Sequence, residues 1–180
     1  MAKPAFVVSA AELDAAGKAY QRAVPHAWLQ AALEDTDATP VGDGSLDLRI
    51  SKSGADVVVH GEAKADVELP CARCLEPTRV TLAPKISVLM VPATKMREHE
   101  AEREHEMSAG EADVLPYDGE NVVLDDLVRD DLMLEIPMIP LCSETCPGIA
   151  SVSGETAERE RAIDPRLAPL LALKKRKEKE

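Results

Sequence analysis

Aromatic side chains are nearly absent from this chain of 180 residues: they make up 2% of it, as Phe6, Tyr20, Trp28 and Tyr117. The apolar fraction is nonetheless 45%, so any core is built from Ala, Val and Leu. Such a core is thin per residue and gains from an added staple. Basic residues are also in short supply, 21 Lys and Arg against 33 Asp and Glu, for a net charge of -12. That balance excludes a generally basic nucleic-acid binder, whose approaching face must carry cations for the phosphates. No apolar run approaches a membrane span, and Phe6-Val7-Val8 is too short for a secretory signal. A single domain with a tail is the expectation from this length, and with no signal or span in view the cytoplasm is its default location. Cysteine is limited to four residues.

Those four fall in two pairs. Cys71-Ala72-Arg73-Cys74 is followed by Leu75-Glu76-Pro77, and Cys142-Ser143-Glu144-Thr145-Cys146 lies far downstream. Upstream of the first pair, Ala63, Ala65, Val67 and Leu69 alternate with charged residues, and Thr78 to Leu82 resumes the alternation after it. The first pair therefore sits at the turn of a hairpin, where two thiols can grip one metal ion from the same side. Cys-x2-Cys with Cys-x3-Cys fits tetrahedral zinc with four thiolates, a closed site of the structural kind. A redox pair needs its first thiol at a helix N-terminus, whereas the pattern here continues as a strand. Thiols buried without metal are the plain alternative, and His60 is a substitute ligand to consider.

Elsewhere, Ser9-Ala10-Ala11-Glu12 has capping-box spacing and predicts a helix running to about Ala19. Pro25 opens a second helix to Glu34, with Trp28, Leu29, Ala32 and Leu33 facing the core. A loop follows from Asp35 to Ser45. Leu46, Leu48 and Ile50 alternate as a strand, Ser53-Gly54 turns, and a long strand runs from Ala55 to Leu69 with a bend at Gly61. Ile86, Val88 and Met90 carry the period onward. The fold class is α+β: an antiparallel β-meander of about four strands with short flanking helices and a candidate zinc knuckle.

From about residue 93 to 116, Glu alternates with Arg and His and no apolar stripe survives, which reads as a solvated, mobile acidic insertion. Its His99 and His105 have no spacing that fixes a metal geometry. Leu124, Leu127, Val128 and Leu132 then mark a helix, limited by Pro137. Its four aspartates lack a His, Ser or Lys placed to complete a catalytic set, so they form a solvated face. Asp164-Pro165 starts a last short helix with Leu167, Leu170 and Leu171 on one face. The chain ends with Lys174, Lys175, Arg176, Lys177 and Lys179, a local basic patch that suits either a solubilising terminus or RNA phosphates.

The run Val67 to Pro77, with its Cys-x-Arg-Cys-Leu-x-Pro core, resembles the signature of the YceD family, the large ribosomal RNA subunit accumulation proteins. Asp131 to Cys142, an acidic helix leading into Pro137-Met138-Ile139-Pro140-Leu141-Cys142, and the closing segment from Asp164 with basic residues after it, are further matches in the same order. One departure is Ala150 and Ser153, where many members carry further cysteines, so a metal here must use Cys71, Cys74, Cys142 and Cys146. The resemblance implies a non-enzymatic ribosome biogenesis factor needed for production or accumulation of 23S rRNA. Its partners would be 23S rRNA or a pre-50S particle; apart from the resemblance, the carboxylate-rich surface would suit a basic ribosomal protein electrostatically. Taken with the element pattern, the chain divides into an N-terminal helical segment packing on the core at 1–45, a YceD-like β-rich domain with the acidic insertion at 46–150, and a loop, short helix and basic tail at 151–180. A thiol redox or zinc-dependent enzyme using the cysteine pairs is the competing function.

Overall fold

A computed structural model describes residues 4–95 and 114–149. The chain divides into two compact units, Met1–Gly148 and Ile149–Glu180; of the second, only Ile149 is among the described residues. The first unit is mainly sheet with a few short helices, an α+β fold.

One long strand, β5 (Asp56–Pro70), organises it. Buried Val57, Val59, Ala63, Ala65, Val67 and Leu69 alternate with Val58 and with polar residues that face outward, which puts one face on the core and one on solvent. On one side, β3 (Thr39–Pro40) and β4 (Gly44–Ser53) run antiparallel along its length, with Thr39 opposite Glu68 and Ser53 opposite Asp56. On the other, β6 (Pro77–Leu82) and β7 (Lys85–Pro92) do the same, with Pro70 opposite Pro77 and Val57 opposite Met90. Ala83-Pro84 breaks what is otherwise one return strand, and the Pro84 carbonyl still accepts from Ala63 N–H at 3.2 Å. At Gly61, the position expected to bend, φ is 155° and a Cβ would meet the Asp47 carbonyl and lie 2.8 Å from Leu48 Cα. Only glycine allows the two backbones to approach that closely there.

Two further strands extend this sheet, and two more form a small sheet of their own. β2 (Lys18–Val24) pairs with β4, and β8 (Val114–Tyr117) pairs in parallel with β7. β1 (Val7–Ser9) pairs with β9 (Asn121–Val123) as a separate two-stranded sheet. Helix α1 (His26–Ala32) follows Pro25, which is its cap, and helix α2 (Asp125–Leu134) carries buried Val128 and Leu132. Phe6 and Trp28 meet edge to face with centroids 5.1 Å apart. The Asp125 carboxylate ties them together, accepting from Ala5 N–H, Phe6 N–H and Trp28 Nε1 at 2.8, 2.9 and 3.0 Å.

The helix expected from Ser9 to Ala19 does not form. Only one 3-10 turn, Ala10–Glu12, follows Ser9, and Ser9 makes no side-chain cap bond. The Glu12 carboxylate pairs forward with Lys18 at 2.8 Å instead of reaching back. Asp14 turns the chain, its carbonyl accepting from Lys52 N–H at 2.9 Å, and the sequence that follows becomes β2. Strand pairing to β4 and β9 outweighs the local capping signal. The start of β8 also reaches into the segment read as an acidic insertion. Residues 96–113 of that insertion, with His99 and His105, lie outside the described residues.

Candidate metal centre

Both thiol pairs arrive on defined supports. Strands β5 and β6 deliver Cys71 and Cys74 at their shared turn, where Cys71 N–H donates to the Glu76 carbonyl at 2.9 Å. The turn tightens through Leu75, whose N–H donates to the Cys71 carbonyl at 3.0 Å and whose φ is 64°. That is left-handed backbone, costly for a branched residue and held by the surrounding bonds. Helix α2 and the Pro137-to-Pro140 segment deliver the second pair. Ala72 N–H donates to the Pro140 carbonyl at 2.8 Å, and Cys146 N–H closes a turn onto the Ser143 carbonyl at 3.1 Å.

The sequence expectation that these pairs meet is fulfilled in the geometry: all four Sγ atoms lie within 4.8 Å of one another. Cys71 and Cys146 are 3.9 Å apart and Cys74 and Cys142 are 3.7 Å apart. A disulfide needs about 2.05 Å, and all four cysteines are free. A tetrahedron with Zn–S bonds of about 2.3 Å has S···S edges of about 3.8 Å. The cross-pair separations match that edge, so the residues fit a four-thiolate metal ion. Cys71 and Cys146 are buried, Cys74 is half-buried, and Cys142 faces solvent. His60 is on the solvent face of β5, between Arg49 and Ser87, and is not part of the cluster.

The electrostatics are uneven. Backbone N–H groups of Cys74, Arg73 and Cys142 point at the Cys71 sulfur and bring its pKa down to about 6. The Cys142 N–H is 3.4 Å from it. Cys71 is therefore largely thiolate at neutral pH, ready to bind a cation. The neighbouring sulfurs of Cys146, Cys74 and Cys71, with burial, push Cys142 up to about 12. Cys74 receives a lowering bond from the Glu76 N–H, but burial and the sulfurs of Cys71 and Cys146 outweigh it, and its pKa rises. A crowd of sulfurs that resists multiple ionisation is the state a divalent cation relieves.

One contributor was not singled out from the sequence. Arg73 reaches across the cluster, its Nη1 donating to the Cys146 carbonyl at 3.1 Å and the Glu144 carbonyl at 3.3 Å. An Arg between two metal-spaced cysteines was the available signal, since its fork of donors can bind loop carbonyls. Lys174, Lys175, Arg176, Lys177 and Lys179, and the helix expected from Asp164, lie outside the described residues. No helix among the described residues is long and apolar enough to cross a membrane.

Comparison with known proteins finds distant mycobacterial relatives. The chain is 29% identical over 133 residues to uncharacterized proteins of Mycobacterium bovis and Mycobacterium tuberculosis, covering 71% of this chain and 60% of each relative. An uncharacterized protein of Mycobacterium leprae is 28% identical over 134 residues, covering 70% of this chain and 57% of the relative. The chain thus spans about 60% of the length of the first curated relatives it matches. No solved structure matches it. The model of the family described as "Large ribosomal RNA subunit accumulation protein YceD" matches residues 59–174, a stretch that opens within β5 and takes in all four thiols. With most of its length inside that match, the chain belongs to the YceD family.

Proposed function

We propose that this protein is a non-catalytic factor in large-subunit ribosome assembly, needed for production of 23S rRNA and fastened by one structural zinc on Cys71, Cys74, Cys142 and Cys146. The family match over residues 59–174 carries the functional part of this reading. The sulfur spacing, which leaves no ligand position open, supports the metal as structural rather than hydrolytic. The protein acts by binding pre-rRNA or a pre-50S particle in the cytoplasm. The basic residues Lys174, Lys175, Arg176, Lys177 and Lys179 supply the phosphate contacts that the acidic remainder cannot.

Depletion of the protein tests the reading directly: precursor 23S rRNA accumulates and pre-50S particles co-sediment with the tagged chain. That co-sedimentation weakens as salt rises. Normal precursor levels after depletion would overturn the assignment. The low pKa of Cys71 favours a second reading, a thiol redox enzyme. It requires Cys71→Ser to abolish turnover while leaving melting temperature and metal content unchanged.

A further inference from the structure

Among the described residues of the unit Met1–Gly148, seven large apolar side chains are exposed, and they are not scattered evenly. Val7, Val58 and Val123 are about two-fifths exposed on separate strands, which is ordinary for a soluble surface. The other four are far more open: Met138 at 95%, Leu134 at 83%, Ile139 at 69% and Leu75 at 64%. All four belong to the two segments that the thiols hold together. Leu75 directly follows Cys74, while Leu134, Met138 and Ile139 lie between the end of α2 and Cys142.

The backbone presenting them is fixed at both ends. At its start, Glu135 N–H donates to the Asp131 carbonyl, and Ile136 N–H to the Met133 carbonyl. Ile136 also packs on the core. At its end, the Ala72–Pro140 bond and the Cys142 N–H to Cys71 contact hold it to the knuckle. Pro137 and Pro140 bracket Met138-Ile139 and restrict the backbone between. Apolar side chains on a backbone already ordered lose little freedom when covered, which is the property of binding anchors.

The surrounding charge selects the partner. Asp130, Asp131, Glu135 and Glu144 lie in the same stretch, and Glu76 adjoins Leu75. Of the basic residues here, Arg129 is already bound to the Ala32 carbonyl and Asp35, and Arg73 to the Glu144 and Cys146 carbonyls, so the carboxylates outnumber them. A second copy would bring the same carboxylates against each other. RNA and anionic lipid would meet like charge, and none of the four apolar residues is an aromatic on which a base can stack. We propose that Leu75, Leu134, Met138 and Ile139 form a docking surface for a basic protein segment with an apolar face. Its cations pair with the acidic rim while its apolar side cups Met138, whose flexible thioether adapts to varied partners. This goes beyond the assembly-factor reading and holds whether or not the chain acts on ribosomal RNA.

The test uses the full chain and two labelled peptides of equal positive charge. One is an amphipathic helix of Lys and Leu, and the other has Ser in place of Leu. Fluorescence anisotropy should show the wild type binding the Lys/Leu peptide roughly tenfold or more tightly than the Lys/Ser peptide. The double variant Met138→Ser with Ile139→Ser should erase that preference while melting temperature and metal content stay unchanged. Glu135→Gln with Glu144→Gln should weaken both peptides and flatten their salt dependence. Equal binding of the two peptides by the wild type, or an undiminished preference in the double variant, overturns the proposal. So does a wild-type dimer in sedimentation that the double variant converts to monomer.

Discussion

Cys142→Ser separates the metal from the packing. Cys142 is exposed, so replacing its sulfur leaves no buried cavity. Its backbone N–H, which donates to Cys71, is retained. What is lost is one ligand and the link between chain positions 68 residues apart. A cross-link closing a loop of that length restricts the unfolded chain by about 4 kcal/mol. Mass action gives the same scale: an ion binding only the folded chain, present at about a thousand times its Kd, stabilises by about 4 kcal/mol. For a chain of this size each kcal/mol moves the melting temperature by about 2–4 °C, so the loss should be about 8–16 °C. Circular dichroism melts, with metal content measured on the same samples, provide the assay. A chelator should lower the wild-type midpoint to that of Cys142→Ser and leave the variant itself unmoved. Equal midpoints for wild type and variant, with the wild type holding less than one metal per chain, would refute the four-sulfur clasp.

Other expectations follow from single residues. Asp125→Ala removes the acceptor for Ala5, Phe6 and Trp28, and should cost about 2–4 kcal/mol in urea unfolding with a red-shifted Trp28 emission. Gly61→Ala drives a Cβ into the β4 backbone and should destabilise by about 2 kcal/mol or more, read from the same urea curves. Zinc titrated into metal-free protein at pH 7.5 (~physiological) should release fewer than four protons per ion, because Cys71, with its pKa near 6, has already lost its own. The same thiol sets a pH slope in the metal-free chain. Its pKa is depressed from 9.0 to about 6, so its stabilising share is complete above pH 9, shrinks as pH falls, and is gone below about 6. Cys71→Ser should remove that slope from stability measured across the window.

The residues that announced themselves in the sequence were those with an unbroken period or a chemical spacing. β5 was legible because every second residue from Val57 to Leu69 is apolar apart from Gly61, and α2 because its apolar residues recur at helical spacing. The convergence of the cysteines followed from their number and spacing. β2 was not legible, for a physical reason. Its residues opposite buried Leu46, Leu48 and Ile50 are Arg22, Tyr20 and Lys18, so the strand shows no apolar alternation. It is an edge strand, and its exposed Lys18 and Arg22 are the kind of charges by which such strands avoid pairing with other chains. β1 and β9 are three residues each and exist only because residues 114 or so positions apart meet, which no local pattern encodes. β8 hid inside a polar stretch because its pairing with β7 is parallel and long-range. Arg73 was visible as a residue, but its use depends on carbonyls brought to it from the other end of the domain.

The central strand has one more consequence, for the order in which the chain can mature. Every strand that hydrogen-bonds to β5 lies between residues 39 and 92, so that slab of sheet can close from near neighbours alone. Two of the sulfurs are placed at its hairpin tip well before the other two have left the ribosome that makes them. Capture of an ion by the four sulfurs would then be a late event, a seal set on a body already shaped, and a nascent chain released short of residue 142 would carry half a lock with nothing to close it.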